Sequence, residues 1–208
     1  MAESEREVDR VYRSLKNCIL HCEFGPGDFL AEVDLAQRCA TSRTPTREAC
    51  NRLSQEGWIS QTRHKGYMIR QISVRHIVEI YGYRKVLERF NAEKAARMAN
   101  PEQLAKLRAI TQTENQPNPP INEILAANEV FHLGMGEIAS NQRIMDQLKL
   151  ALEYIDRLDI LSTESHSDWF RTAISSLLWN DANPSQTSNA TAEHIDNARD
   201  RMLKLFGS

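Results

Sequence analysis

Two groups of residues in this chain have the types and spacing to do chemistry. The first is Ser42, Arg43, Thr44, Thr46 and Arg47, which set two guanidinium groups and three hydroxyls side by side. In the first turn of a helix, such side chains reach phosphates and base edges when that turn enters the major groove of DNA. The second group is scattered. Asn128 and His132 are four apart and so share one face of a helix, with His166 and His194 further along. Imidazoles and a side-chain oxygen converging inside a helical bundle can hold a divalent metal ion. By spacing alone, a lone helical histidine is more often a surface or satisfied core residue.

The elements that must position the first group lie between Leu30 and Met68. Leu30, Val33, Leu35 and Ala36 give a short apolar helical face, and residues 39–42 are a turn. Pro45 stands near the first position of the next helix, where its missing N–H costs nothing. Glu48 suits the dipole there. Ala49 and Leu53 face inward, and Gly57-Trp58 ends the helix. Two strand-like runs follow, residues 58–60 and 66–69, around a tip that carries Arg63, His64 and Lys65. Tyr12, Leu15, Ile19 and Leu20 make an amphipathic helix ahead of all this. Between Leu35 and Arg75 stand eight Lys/Arg (38, 43, 47, 52, 63, 65, 70, 75) against two acids (48, 56), in a chain of formal net charge −2. A basic stretch in an otherwise acidic protein is the footprint of a phosphate-binding surface.

The second half reads as helix after helix. Ser73 can cap a helix carrying Ile77, Ile80, Tyr81, Arg84, Leu87 and Phe90. Pro101 opens another, and residues 116–120 are a loop. A helix over 121–138 is expected to soften near Gly134 and Gly136. Asn141 starts a long one, 169–179 is shorter, and a last helix runs from about Asn189 to Phe206. The fold class is therefore mainly α: a winged helix-turn-helix with a β-hairpin wing over 1–71, then an all-helical bundle of six or seven helices over 72–208. Bundles of this kind place ligand and metal sites in their cores. No run approaches the ~20 apolar residues of a membrane span. The charged N-terminus lacks the apolar core of a signal peptide, so a cytoplasmic location is expected. Cys18, Cys22, Cys39 and Cys50 show no CxxC pairing and read as reduced, buried thiols.

Phe24-Gly25-Pro26-Gly27-Asp28, Leu35-Ala36, Ser42 through Ala49, Arg52-Leu53, Glu56-Gly57 and Gly66 together resemble the winged-helix domain of the GntR family of bacterial transcription regulators. Ala40-Thr41 depart from that family's usual Gly-Val pair. The resemblance implies DNA contacts from Ser42, Arg43, Thr44, Thr46, Arg47 and the wing residues His64, Lys65 and Gly66. The second half is similar to the FCD effector domain of the FadR-type branch, through Tyr83-Arg84-x-x-Leu87-Glu88, Asn128-x-x-Phe131-His132 and His194-Ile195-x-x-Ala198-Arg199. Many members bind a metal through an Asp or Asn and three histidines. That implies Asn128, His132 and His194 as ligands to zinc or nickel. The family's third histidine position falls near Arg171 or Thr172, and His166 is the nearby substitute. The resemblance also sets Arg84 against a carboxylate effector. By spacing alone, Arg84 is an ion pair with Glu88, four residues on.

The sequence thus points to a ligand-responsive repressor that binds palindromic operator DNA as a homodimer. A metal-dependent enzyme built on Asn128, His132 and His194 is the alternative, and it lacks an HExxH or paired-acid motif to supply a general base. An architectural DNA protein would have no use for the helical half.

Overall fold

The computed structural model describes residues 6–63, 66–112, 120–162 and 184–206. The chain divides into two compact units, Met1–Ile72 and Ser73–Ser208.

In the first unit, helix α1 (Glu7–Leu20) buries Val11, Tyr12, Leu15, Cys18 and Ile19, an i, i+4, i+7, i+8 stripe. Strand β1 (Phe29–Ala31), helix α2 (Glu32–Arg38), helix α3 (Arg43–Gln55) and strands β2 (Ile59–Thr62) and β3 (Gly66–Ile69) follow. The hairpin expected from residues 58–69 is present. It carries a third strand that the sequence did not suggest: the sheet is antiparallel in the order β1-β3-β2, with Leu30 opposite Tyr67 and Ser60 opposite Met68. Only three residues make β1, too few for an alternating pattern to be read.

Gly66 makes that third strand possible. A Cβ there would lie 2.5 Å from Phe29 Cζ and 2.7 Å from the Leu30 carbonyl oxygen. Trp58, Ile69, Ile59 and Tyr67 fill the space between sheet and helices. Below Trp58 a polar cluster locks α1 to the end of α3. Glu56 accepts from the Tyr12 hydroxyl at 2.7 Å, from Lys16 Nζ at 3.0 Å and from Trp58 Nε1 at 3.1 Å, and Arg52 covers the Tyr12 ring at 3.7 Å. Helix α3 is therefore held at its far end by a charged tie as well as by packing.

The described residues of the second unit form helices α4 (Val74–Met98), α5 (Pro101–Gln112), α6 (Ile121–Ala139), α7 (Gln142–Leu161) and α8 (Pro184–Phe206). Helix α4 is central, packing on α6, α7 and α8. Ser73 caps α4 by accepting from His76 N at 3.1 Å, and Asn141 caps α7 by accepting from Ile144 N at 3.2 Å. Ala92, Ala95, Leu107, Phe131, Met135 and Ile138 make a buried apolar cluster. Each large side chain so buried contributes roughly 1.5–3 kcal/mol.

Two expectations need correction. Helix α6 does not soften at Gly134 and Gly136 but runs unbroken through both. Their absent side chains serve close packing instead: a Cβ on Gly134 would meet Leu107 Cδ2 at 2.8 Å, and one on Gly136 would strike the Met145 sulfur. The last helix starts five residues before Asn189, at Pro184, whose ring suits a first helical position. The expected loop over 116–120, except Pro120, and the short helix over 169–179 lie outside the described residues.

Candidate functional site

Helix α3 presents its N-terminus with Ser42 in extended backbone ahead of it. Ser42, Arg43, Thr44 and Arg47 are exposed. Thr46 is not: it is fully buried, and its hydroxyl donates to the Ser42 carbonyl at 2.9 Å. Its expected role at DNA is corrected to an internal one, because position 46 falls on the face that packs inward with Ala49, Cys50 and Leu53. Gly66 is likewise buried, and its place beside Phe29 accounts for it without a ligand. His64 and Lys65 lie outside the described residues. Arg63 and Arg70 are exposed near them.

A residue that sequence reasoning passed over organises this surface. Glu32, in the first turn of α2, has a buried carboxylate, and both arginines converge on it. Arg43 Nε donates to Oε1 at 3.1 Å, while Arg47 donates through Nε to Oε2 at 3.1 Å and through Nη2 to Oε1 at 2.8 Å. The Arg47 pairing is bidentate, the strong and directional form of the contact. The carboxylate side chain is 7% exposed, whereas Arg43 and Arg47 are 55% and 57% exposed. Their outer faces are open to a ligand while their stems are fixed. The hydrogen bonds from Arg47, then Arg43, hold the Glu32 carboxyl below the usual carboxylate range against the effect of burial. The available signal was an acid in a first helical turn just ahead of two basic residues four apart, and dipole arguments alone account for such an acid.

In the second unit the expected metal residues do come together, but not around a vacant centre. Glu88 bridges Arg84 and His132: its Oε1 accepts from Arg84 Nε and its Oε2 pairs with His132 Nδ1. All three are buried. Arg84 Nη2 is 2.7 Å from His132 Nε2, Asn128 Oδ1 is 3.0 Å from the same nitrogen, and the His194 ring stacks on His132 with centroids 5.7 Å apart. Burial holds His132 below its ordinary value against the pull of Glu88, and burial with His132 alongside pushes His194 down to about 3. Both rings are neutral. With Nδ1 facing a carboxylate, the His132 proton sits on Nδ1 and Nε2 is the acceptor for Arg84, which requires the Asn128 amide to turn its NH2 end, not its oxygen, toward that nitrogen. Arg84, read from the relatives as an effector contact, is instead the Glu88 partner that its i, i+4 spacing allowed.

These residues do not fit a divalent cation. A ligating histidine needs a free Nε2 lone pair, with the metal 2.0–2.1 Å away; here a guanidinium nitrogen takes that lone pair. A divalent ion about 4 Å from the guanidinium charge would be repelled by about 8 kcal/mol even at an effective dielectric of 20. Among the described residues no three His, Cys, Asp or Glu gather to hold a metal. His166 lies outside the described residues.

Three further polar groups reach this core. Asn91, one turn beyond Glu88 on α4, is fully buried, with neither end of its amide bonded. On α7, Asp156 and Asp159 lie one turn apart. Burial and Asp159 push Asp156 up to about 8, and burial pushes Asp159 up to about 7 in spite of Arg84 and Arg201. Nothing in their spacing marked Asp159 as buried or Asp156 as half-buried. The four cysteines are free thiols, and burial pushes Cys50 up to about 12.

Comparison with known proteins agrees with this division. The family described as bacterial regulatory proteins, gntR family, matches residues 7–69, and the FCD domain matches residues 79–176. The chain is similar to the Nta operon transcriptional regulator of Aminobacter aminovorans, 30% identical over 133 residues that cover 64% of this chain and 63% of the relative. It therefore spans just under two thirds of that protein's length. It is similar to the HTH-type transcriptional repressor RspR of Escherichia coli (strain K12), 26% identical over 155 residues, 74% of this chain and 68% of the relative. Among solved structures, E. coli McbR/YncC shares the fold with a TM-score of 0.76 at 19% identity, covering 96% of this chain and 98% of its own. With one family match on each compact unit, the chain belongs to the gntR family of bacterial regulatory proteins and carries an FCD domain as its second half.

Proposed function

We propose that this protein is a ligand-responsive transcription regulator, acting as a repressor, that binds a palindromic operator as a homodimer. The observation that carries the reading is the pair Arg43 and Arg47 at the exposed start of α3, fixed by Glu32 and flanked by the exposed Ser42 and Thr44. A helix entering the major groove reads bases with such first-turn side chains, and a bidentate arginine is the commonest reader of guanine. His64 and Lys65, which the sequence sets between β2 and β3, are proposed to complete the contacts.

A single winged helix covers one half-site, so a two-fold dimer suits a palindrome. Support for a dimer comes from α4, where Tyr83, Val86 and Phe90 form an exposed apolar stripe at i, i+3 and i+7, with Val86 69% exposed. The effector is proposed to enter the polar core of the helical unit, where the Asn91 amide offers an unused donor and acceptor. A carboxylate effector would gain Arg84 only by exchange with Glu88. It would shift regulation by favouring one arrangement of the dimer over another. The work of such a protein is in the cytoplasm, and no helix among the described residues is long and apolar enough to cross a membrane. Nothing in the polar core favours the metal-dependent enzyme, since the nitrogen it would need for a metal is bonded to Arg84.

Selection of binding sequences from a random DNA library tests the proposal. Enrichment of a two-fold symmetric site, with loss of enrichment for Arg47→Ala, is expected. Recovery of no common sequence would overturn it.

A further inference from the structure

We infer that the helical unit of this chain works without a metal, the guanidinium of Arg84 standing where a metal ion would meet His132. Three observations carry this. First, the Nε2 lone pair of His132 accepts from Arg84 Nη2 at 2.7 Å, and Glu88 on Nδ1 fixes the tautomer that makes Nε2 an acceptor. A carboxylate on the far nitrogen of a histidine is the usual support for a metal-bound ring; here the same support aims the ring at an arginine. Second, the Arg84 charge is already balanced by Glu88, with both side chains on one helix and buried. The Arg84–Glu88 pair is thus balanced as it stands, and a divalent ion at His132 would sit directly against the guanidinium. Third, the donors that meet His132 beside Arg84, Asn128 and His194, are neutral and bring no negative charge to hold an ion at that nitrogen.

Arg84 is a built-in cation with a fixed position. A metal centre offers open coordination sites; a guanidinium offers N–H donors in a plane. The ligand class that follows is one recognised by hydrogen bonds, with acceptors for Arg84 and a partner for the Asn91 amide, and it requires no coordinating atom. This rests on the regulatory reading only for calling that ligand an effector; the absence of a metal role does not depend on DNA binding.

The test uses the full chain. Metal content is measured by plasma mass spectrometry after purification, and zinc and nickel are titrated calorimetrically into the parent and the double variant Arg84→Met/Glu88→Gln. The double change removes both buried charges together and keeps the fold where a single change would strand one. The parent is expected to hold far less than one ion per chain, to show no saturable binding, and to keep its melting temperature in chelator. The double variant is expected to gain saturable binding that is lost on adding His132→Ala. One ion per chain in the parent that disappears with His132→Ala would overturn the inference. So would a correctly folded double variant that still binds no metal, because Arg84 would then not be what excludes it. If the double variant does not fold, the parent's metal content and chelator response decide alone. An ion that survives His132→Ala but is lost with Asp156→Asn/Asp159→Asn would place a metal in the helical unit after all and would also overturn the inference.

Discussion

Both units set arginine against glutamate, with opposite exposure. In the first, one buried carboxylate, Glu32, holds two arginines whose outer faces are open. In the second, Glu88, Arg84 and His132 are all shut inside the bundle. The same charge pairing therefore does different work. An exposed guanidinium on a buried anchor keeps its hydration and its reach, and the anchor removes the entropy of aiming it. A buried pair has lost its water on both sides and stabilises mainly by not being broken. The contrast predicts that changes in the first unit show in DNA recognition and changes in the second in stability.

The largest effect is expected from breaking the buried pair. Arg84→Met alone strands the Glu88 charge and should cost about 3–5 kcal/mol, while Arg84→Met/Glu88→Gln should recover most of it. Urea unfolding followed by circular dichroism measures both. A single variant within about 1 kcal/mol of the parent would show that the core is wet and the contrast false.

Next comes pH. Asp156 and Asp159 titrate at about 8 and about 7 when folded, far above their ordinary range. The folded state keeps protons that the unfolded state gives up, so their contribution to stability falls as pH rises from about 4 to about 8. His132 and His194, held low, act oppositely, but only below about 6.5, where the unfolded rings take up protons. Glu88, brought down to about 2 when Arg84 and His132 outweigh burial, loses its contribution only below about 4.5. Between pH 6.5 and 8 the aspartates remain, opposed by Arg84 and Arg201 and reinforced by Glu129 and Glu153. Stability should fall by about 2–3 kcal/mol across that window. Asp156→Asn/Asp159→Asn should flatten the fall in thermal melts. A parent curve that rises from pH 6.5 to 8 would contradict the buried-acid picture.

The first unit should answer in specificity. Arg47→Ala should cost about 1–3 kcal/mol in operator binding, and far less on random DNA. Glu32→Gln removes the anchor but also a negative charge. Operator affinity should drop roughly tenfold while non-specific binding holds or rises, so the ratio of the two narrows. Fluorescence anisotropy at several salt concentrations separates these. Equal loss on both DNAs would mean that Glu32 only supports the fold.

How much of this was legible follows from what each residue does locally. The order of elements in the first unit, the start of α3 just after the turn at 39–42 and the helix starts at Ser73 and Asn141 could be read, because capping and turn chemistry act within a few residues. The family resemblance rests on the same short-range motifs. Glu32, Glu56 and Asn91 could not be read as they act. Glu32 meets Arg43 across 11 residues, Glu56 meets Tyr12 across 44, and the Asn91 amide is unbonded among the described residues, and only the fold brings such groups together. Gly134 and Gly136 misled because glycine reads as a breaker, whereas in α6 it makes room for Leu107 and Met145. The convergence of Asn128, His132 and His194 was visible, but what occupies their middle was not. The i, i+4 partner of Arg84 was an open alternative that burial decided.

The smallest effect tests a departure already visible in the sequence. Ala40, in the turn between α2 and α3, has φ of +47°. That left-handed conformation costs an L-residue roughly 1 kcal/mol and a glycine almost nothing. The turn is held by Ala40 N bonding to Gln37 O at 3.0 Å and Thr41 N to Ala36 O at 3.0 Å, so the backbone stays put and carries the strain. Ala40→Gly should therefore stabilise the first unit slightly, by about 0.5 kcal/mol or less once the greater freedom of glycine in the unfolded chain is deducted. Ala40 is exposed, so no packing is lost. The Arg43–Glu32 and Arg47–Glu32 pairs lie beyond the turn and should be untouched, leaving operator affinity unchanged. Stabilisation with unaltered DNA binding keeps strain and recognition separate. If Ala40→Gly instead loosens operator binding, the strained turn is part of how α3 is aimed.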